Sequence, residues 1–87
     1  MRLRSMLVVL ENLMLMEKVE KFDKENKLCL EFICFQKGFK NLITIKDIPQ
    51  DLFNKITEGT SLDIRSKMTV WGNNNSYGAS FRFEDLA

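Results

Sequence analysis

With 87 residues, the chain has room for one hydrophobic core, so we expect a single domain spanning residues 1–87. Its 13 basic and 12 acidic residues give a net charge of +1, which argues against a protein that grips duplex DNA by overall charge alone. The absence of histidine, with only two cysteines, leaves too few soft ligands for a structural zinc site.

The segment from Leu7 to Phe22 mixes two patterns. Leu13 and Leu15 alternate with Met14 and Met16 as in a strand. Its leucine, methionine and glutamate content favours a helix, but the polar residues of the segment spread around a helical wheel and leave no clean apolar stripe. We expect a long, bent first strand, with a helical N-terminal segment as the alternative.

The same region raises the question of cellular location. Its apolar run is interrupted at Glu11 and Asn12 and is far shorter than the roughly 20 apolar residues that span a bilayer, so we expect neither a signal peptide nor a membrane association. Cys29 and Cys34 are five positions apart and point to opposite faces if they share a strand. They cannot bridge each other there, and two reduced, buried thiols are typical of a cytoplasmic protein.

The middle of the chain predicts two strands and two turns. Residues 23–27 contain no apolar side chain and suit a hairpin loop. Lys27–Gln36 follows as an apolar strand, and Gln36–Lys40 forms a turn in which Gly38 can adopt a positive φ. Asn41–Lys46, with three β-branched residues in succession, predicts a third strand.

A short helix is expected next. Pro49 suits its first turn, Asp47 is a possible cap, and Gly59 is a natural stop. The helix would have about two and a half turns. One helical face carries Leu52, Phe53 and Ile56.

The last third of the chain predicts two more strands. Ser61–Trp71 alternates cleanly between apolar and polar residues, Gly72–Ser76 is a turn-rich loop, and Tyr77–Phe83 alternates again. Five strands with a helix between the third and the fourth make up the OB-fold, a five-stranded Greek-key barrel. The fold class is therefore predicted to be mainly β.

In this fold, strands two and three usually present the ligand-binding face. Glu31 marks the outward side of strand two, because an unpaired carboxylate should not face the core. Exposed apolar side chains among cations favour single-stranded nucleic acid, whose bases stack on aromatic rings while cations contact phosphates. The predicted site contains Ile33, Phe35, Lys37, Phe39, Lys40, Thr44, Lys46, Arg65, Lys67, Trp71, Tyr77 and Arg82.

Other interpretations of these residues remain open. Ile33, Phe35 and Leu42 can form an interface with a protein partner or with a second copy, because exposed aromatic side chains mark interfaces of any kind. Trp71 can cap the barrel, since tryptophan is largely buried in most proteins.

The basic residues also have an alternative role. Arg65, Lys67 and Arg82 can belong to a solvated face in which they pair with Asp63 and Glu84.

No catalytic pattern is found. The usual histidine base is absent, and no serine, cysteine or lysine has an obvious activating neighbour. Gly72 and Gly78 lack the Gly-Lys-Ser/Thr ending of a phosphate loop. We therefore expect neither an enzyme nor a bound cofactor.

Four segments resemble the small single-stranded DNA-binding proteins of Gram-positive phages and mobile elements: Val19–Lys27, Ile43–Ile45, Glu58–Ile64 and Val70–Gly72. The resemblance implies an OB-fold protein that protects single strands during DNA replication, recombination or conjugative transfer, often as a homo-oligomer. Single-stranded DNA is the implied partner, with RNA as a second possibility. The contacts implied by the resemblance are Phe35, Thr44, Lys46, Trp71 and Tyr77.

Overall fold

The computed structural model describes residues 2–73 and 76–87, with the backbone alone described for residues 2–4, 71, 73, 76 and 77. The elements follow in the order predicted from the sequence. They are β1 (Arg2–Phe22), β2 (Leu28–Gln36), β3 (Ile43–Lys46), α1 (Gln50–Lys55), β4 (Ser61–Asn73) and β5 (Ser76–Leu86).

The strands close into a barrel in the order β1-β2-β3-β5-β4. In the described part of the chain, β3 and β5 form the one parallel pair, and every other neighbouring pair is antiparallel. The parallel contact is also the shortest, since two residue pairs join the strands: Ile45 with Phe81 and Lys46 with Arg82. This topology confirms the predicted OB-fold class.

β1 is a strand along its whole length, so the helical alternative is wrong. The strand begins at Arg2 rather than Leu7, because residues 2–14 of β1 pair with residues 61–72 of β4. Residues 13–22 pair with β2 through the other edge of β1. The strand therefore bends from one neighbour to the other within the barrel.

Two irregularities explain why the alternation of β1 is mixed. The register with β4 shifts between Leu10 and Leu13, and the register with β2 shifts between Leu15 and Glu17. At the first shift, Asn12 adopts a φ of 55°, a left-handed conformation that asparagine tolerates better than most residues. Each bulge adds a residue that changes which face the following side chains occupy.

The core fills the barrel with the inward side chains of its strands. Phe32 of β2 is fully buried, and its ring stacks on Phe53 of α1 with the centroids 5.9 Å apart. Lys18 holds the helix in place, because its Nζ donates to the carbonyl of Phe53 at 2.9 Å and lies 5.1 Å from the centre of that ring. The buried apolar residues are Leu13, Leu15, Leu30, Phe32, Cys34, Ile43, Ile45, Ile48, Phe53, Leu62 and Ile64.

α1 is shorter than predicted and is capped differently. It has 6 residues, and its N-cap is Pro49, with no hydrogen bond from a capping side chain. The carboxylate of Asp47 pairs with Arg82 instead, so the predicted cap is wrong. Of the predicted apolar face, Phe53 is buried and Leu52 half-buried in α1, whereas Ile56, also half-buried, is the C-cap with an extended backbone. No helix in residues 2–73 and 76–87 is long and apolar enough to cross a membrane.

Glu31 has the predicted orientation but not the predicted exposure. Leu30 and Phe32 on either side of it are in the core, so Glu31 lies on the outer face of β2. It is nevertheless 8% exposed, and its Oε2 lies 3.0 Å from Nζ of Lys21 on β1. The ion pair compensates the burial of the carboxylate, which the sequence pattern alone could not reveal.

The two cysteines occupy different environments. Cys34 is fully buried in the core, whereas Cys29 is half-buried, so the expectation of two buried thiols holds for Cys34 alone. Their predicted placement on opposite faces of one strand is confirmed. Burial raises the pKa of the Cys34 thiol from 9.0 to about 11.

This pKa predicts a loss of stability in alkaline solution. Between the two pKa values the unfolded chain releases the Cys34 proton and the folded chain retains it, so stability falls as pH rises. We expect the unfolding free energy to fall by about 2 kcal/mol from about pH 8.5 to about pH 10.5 through this residue. Urea titrations under reducing conditions measure it, with Cys34→Val as the control that cannot ionise. Parallel pH curves for both proteins would contradict the prediction.

Candidate nucleic-acid interface

Three cations form a row across three neighbouring strands of the outer surface. Lys46 of β3 lies opposite Arg82 of β5, and Arg82 lies opposite Lys67 of β4. Adjacent strands are about 5 Å apart, so the backbone positions of this cation row span about 10 Å. All three side chains are exposed.

A basic pocket of about 220 Å³ lies on this row. Hydroxyl groups border it next to the cations, and Ser5 Oγ and Thr69 Oγ1 are 3.3 Å apart across β1 and β4. Cations and hydroxyl groups together can bind the oxygen atoms of a phosphate. The basic pocket is lined by Ser5, Lys46, Lys67, Thr69, Ser80, Phe81 and Arg82.

An apolar cleft of about 460 Å³ lies beside the basic pocket. It is bounded on one side by β3 and the turn before it, and on the other side by β5. Phe39, on that turn, is 59% exposed and lies at the cleft. The apolar cleft is lined by Leu10, Phe39, Asn41, Leu42, Ile43, Thr44, Lys46, Ala79, Ser80 and Phe81.

The basic pocket and the apolar cleft form one groove, because Lys46, Ser80 and Phe81 line both. The groove opens where β3 and β5 separate. In the described residues the two strands pair at Ile45 and Lys46 of β3, so the preceding part of β3 has no ladder with β5. Side chains of the barrel interior, such as Phe81, are thereby accessible from outside.

Buried contacts fix the backbone beneath the cation row. Ser66 of β4 is fully buried, and its hydroxyl donates to the carbonyl of Arg82 at 2.9 Å. The register of β4 against β5 shifts next to this contact, between Arg65 and Ser66. The hydrogen bond therefore holds Arg82 at a point where the ladder is irregular.

Two of the predicted basic residues form ion pairs, with partners other than those expected. Arg65 Nη1 lies 3.1 Å from Asp85, and Arg82 Nε donates to Asp47 at 2.7 Å. Asp63, an expected partner, accepts the backbone N–H of Asn12 at 2.8 Å.

Lys67 makes no ion pair within the described part of the chain. Glu84, its expected partner, lines a neighbouring depression with it. One member of the cation row is thus paired, and two project unpaired among the described residues.

The predicted positions on β2 form a separate part of the surface. Ile33 is half-buried and lies opposite Thr44, which lines the apolar cleft. Phe35 is exposed beside Met14 of β1, its cross-strand neighbour. The structure therefore brings Phe39, rather than Phe35, to the groove.

Four further predicted residues lie outside the groove or outside the described side chains. Lys37 and Lys40 are exposed on the turn that carries Phe39 and line neither concavity. Trp71 and Tyr77 are among the residues whose side chains are not described.

Several groove residues were missed at the level of sequence. Ser5 precedes the predicted start of the first strand, and the alternation of Tyr77–Phe83 puts Phe81 on the opposite face from Arg82. Ser80 and Thr69 are small polar residues on outward faces, with no pattern that distinguishes them. Register brings the polar ones together, because Ser5 lies opposite Thr69 and Thr69 opposite Ser80, two positions along the strands from Lys67 and Arg82.

Neither a metal site nor a similarity to known proteins helps to assign a function to this surface. Among the residues that the structure describes, no group of three or more potential metal ligands is present. Comparison with protein-family models, curated proteins and solved structures gave no match. The candidate interface therefore rests on its own geometry.

Proposed function

We propose that the chain binds single-stranded DNA with little sequence preference, using the groove. The observation that carries the proposal is the continuity of the apolar cleft with the basic pocket through Lys46, Ser80 and Phe81. Single-stranded nucleic acid has the matching chemistry, since apolar base faces and charged phosphates alternate along one chain. The resemblance of short sequence segments to phage and mobile-element single-stranded DNA-binding proteins supports the same function.

The apolar side of the groove suits bases. Phe39 exposes more than half of its surface at the cleft, and a base that stacks on an aromatic ring contributes about 1 to 3 kcal/mol. Stacking tolerates any base, because every base has a π face. No fixed set of hydrogen-bond donors and acceptors is required, which fits binding without strong sequence preference.

The basic side of the groove suits phosphates and makes affinity depend on salt. Each phosphate neutralised on a single strand contributes about 0.7 to the slope of log affinity against log salt. If all three cations of the row contact phosphates, the slope is about −2. With a net charge of +1, the rest of the molecule adds little, so binding is expected to be local and moderate.

Fluorescence anisotropy of labelled oligo-dT over a salt series tests the proposal. An oligonucleotide of about 16 nucleotides covers the upper site size of one OB-fold. We expect saturable binding with a slope of about −1.5 to −2, and weaker binding to a duplex of the same length. An oligo-U strand of the same length gives the preference for DNA or RNA. No saturable binding to oligo-dT near 50 mM salt, or affinity independent of salt, would overturn the proposal.

A second candidate is self-assembly through the outer face of β1 and β2. It is favoured by the exposed pair Met14 and Phe35, which are cross-strand neighbours away from the groove. In size-exclusion chromatography, an elution volume below that of a 10.2 kDa monomer, without oligo-dT binding, would favour this candidate. Both properties can coexist, because Met14 and Phe35 do not line the groove.

A further inference from the structure

An acidic residue, Asp47, pairs with the middle residue of the cation row, Arg82. Its Oδ2 accepts a hydrogen bond from Nε of Arg82 at 2.7 Å. Both side chains remain accessible, with 64% of Arg82 and 56% of Asp47 exposed to solvent. Arg82 lies between Lys46 and Lys67, so the ion pair covers the middle cation of the row.

The backbone turns Asp47 toward this position. In a continued strand, Asp47 would point away from the face that Lys46 occupies. Instead Asp47 has a φ of 59°, a left-handed conformation that aspartate tolerates better than most residues. Its side chain is therefore exposed like that of Lys46, while Ile48 is buried. The break in alternation gives two successive outward residues next to β5.

We propose that Asp47 is a built-in competitor for phosphate, which occupies Arg82 in the free protein and is displaced when a strand binds. The inference rests on the proposed function. Carboxylate and phosphate oxygens both accept from a guanidinium, so they compete for the same donor. An exposed ion pair contributes little net stability, so a phosphate can replace the carboxylate without disturbing the fold. Asp47 thereby limits the affinity and the salt dependence of the groove.

The variant Asp47→Asn tests the proposal, because asparagine keeps the size and the left-handed preference but removes the charge. We expect its affinity for oligo-dT near 50 mM salt to rise about five- to tenfold over that of the unaltered protein. The slope of log affinity against log salt should steepen to the value of about −2 that three phosphate contacts give. Urea titration checks the fold, and Asp47→Gly, which also suits a positive φ, is used if the midpoint shifts.

Two controls separate competition at Arg82 from a general effect of charge. Asp85→Asn removes the carboxylate that pairs with Arg65, outside the groove, and should change affinity less than twofold. In an Arg82→Gln background, Asp47→Asn should have no further effect, because the shared donor is gone. This combined result supports the competitor role.

Each contrary result overturns the proposal in a distinguishable way. If the unaltered protein binds oligo-dT and Asp47→Asn binds equally well, Asp47 does not compete, while the binding function stands. A gain that persists in the Arg82→Gln background, or that Asp85→Asn reproduces, assigns the effect to net charge and overturns the competitor role. If neither the unaltered protein nor Asp47→Asn binds, both proposals fail. Binding by Asp47→Asn alone also overturns both proposals, because the unaltered protein then does not bind and no strand displaces Asp47.

Discussion

Replacing Phe32 by alanine is expected to leave a large fraction of the protein unfolded at room temperature. The Phe32 side chain is fully buried at the centre of β2 and stacks on Phe53, so its loss leaves a cavity and removes a packing contact of α1. Truncation of a buried phenylalanine costs about 3 to 5 kcal/mol. A single core of this size supports a total stability of about 3 to 5 kcal/mol, so the two quantities nearly cancel.

Circular dichroism and urea titration measure this change, with Phe22→Ala as the matched control. Phe22 undergoes the same substitution at the end of β1, where it is 67% exposed, and should alter the unfolding free energy by about 0.5 kcal/mol or less. A Phe32→Ala protein within about 1 kcal/mol of the unaltered stability would contradict the packing described for the barrel.

Reversing the two unpaired charges of the cation row is expected to abolish detectable binding to oligo-dT. Lys46→Glu with Lys67→Glu removes the two proposed phosphate contacts and places two carboxylates beside Arg82. Two lost contacts alone correspond to about a 70-fold loss of affinity near 50 mM salt, because each contributes about 0.7 to the salt slope. Repulsion between the new carboxylates and the phosphates adds to this loss. Anisotropy titrations at this salt concentration measure the change.

The control carries the same change in net charge away from the groove. Lys24→Glu with Lys55→Glu alters two exposed residues that line neither the apolar cleft nor the basic pocket. Only the weak, screened field at long range changes in this protein, so affinity should fall less than about fivefold. Equal losses in the two double variants would show that binding, if it occurs, does not depend on the cation row.

The order of the strands along the chain was predictable, because the sequence of each strand carries its own pattern of apolar and polar residues. In β4, Leu62 and Ile64 face the core while Asp63 and Arg65 are exposed, as the alternation predicts. β1 was harder to interpret, since its two bulges shift the faces that its side chains occupy. Glu31 was expected to be exposed, but a partner on the neighbouring strand allows it to be buried.

The residues of the groove could be predicted only in part. The groove forms between strands that are far apart in the sequence, and its geometry depends on how these strands pair. Outward alternation was enough to select Lys46, Lys67 and Arg82 as candidates. Their alignment into one row requires the register of β3 against β5 and of β5 against β4, which sequence periodicity does not give. The apolar cleft likewise arises from the separation of β3 and β5.

The ion pair of Arg82 with Asp47 was also beyond prediction. Asp47 suited a helix cap by sequence, since aspartate is common at that position. The left-handed backbone at Asp47 directs the carboxylate to the outer surface instead. A conformation of this kind is fixed by the surrounding structure rather than by the local sequence.

The most direct test of the groove is an NMR titration of ¹⁵N-labelled protein with oligo-dT, followed through the backbone amide resonances. We expect the largest shifts at residues 43–46, 67–69 and 80–82, which carry the lining of the basic pocket and the rim of the apolar cleft. The amides of α1, at the helix that packs on Phe32, should remain nearly unchanged. Shifts confined to α1 or to the outer face around Phe35, or no shifts at all, would contradict the proposed single-stranded DNA site.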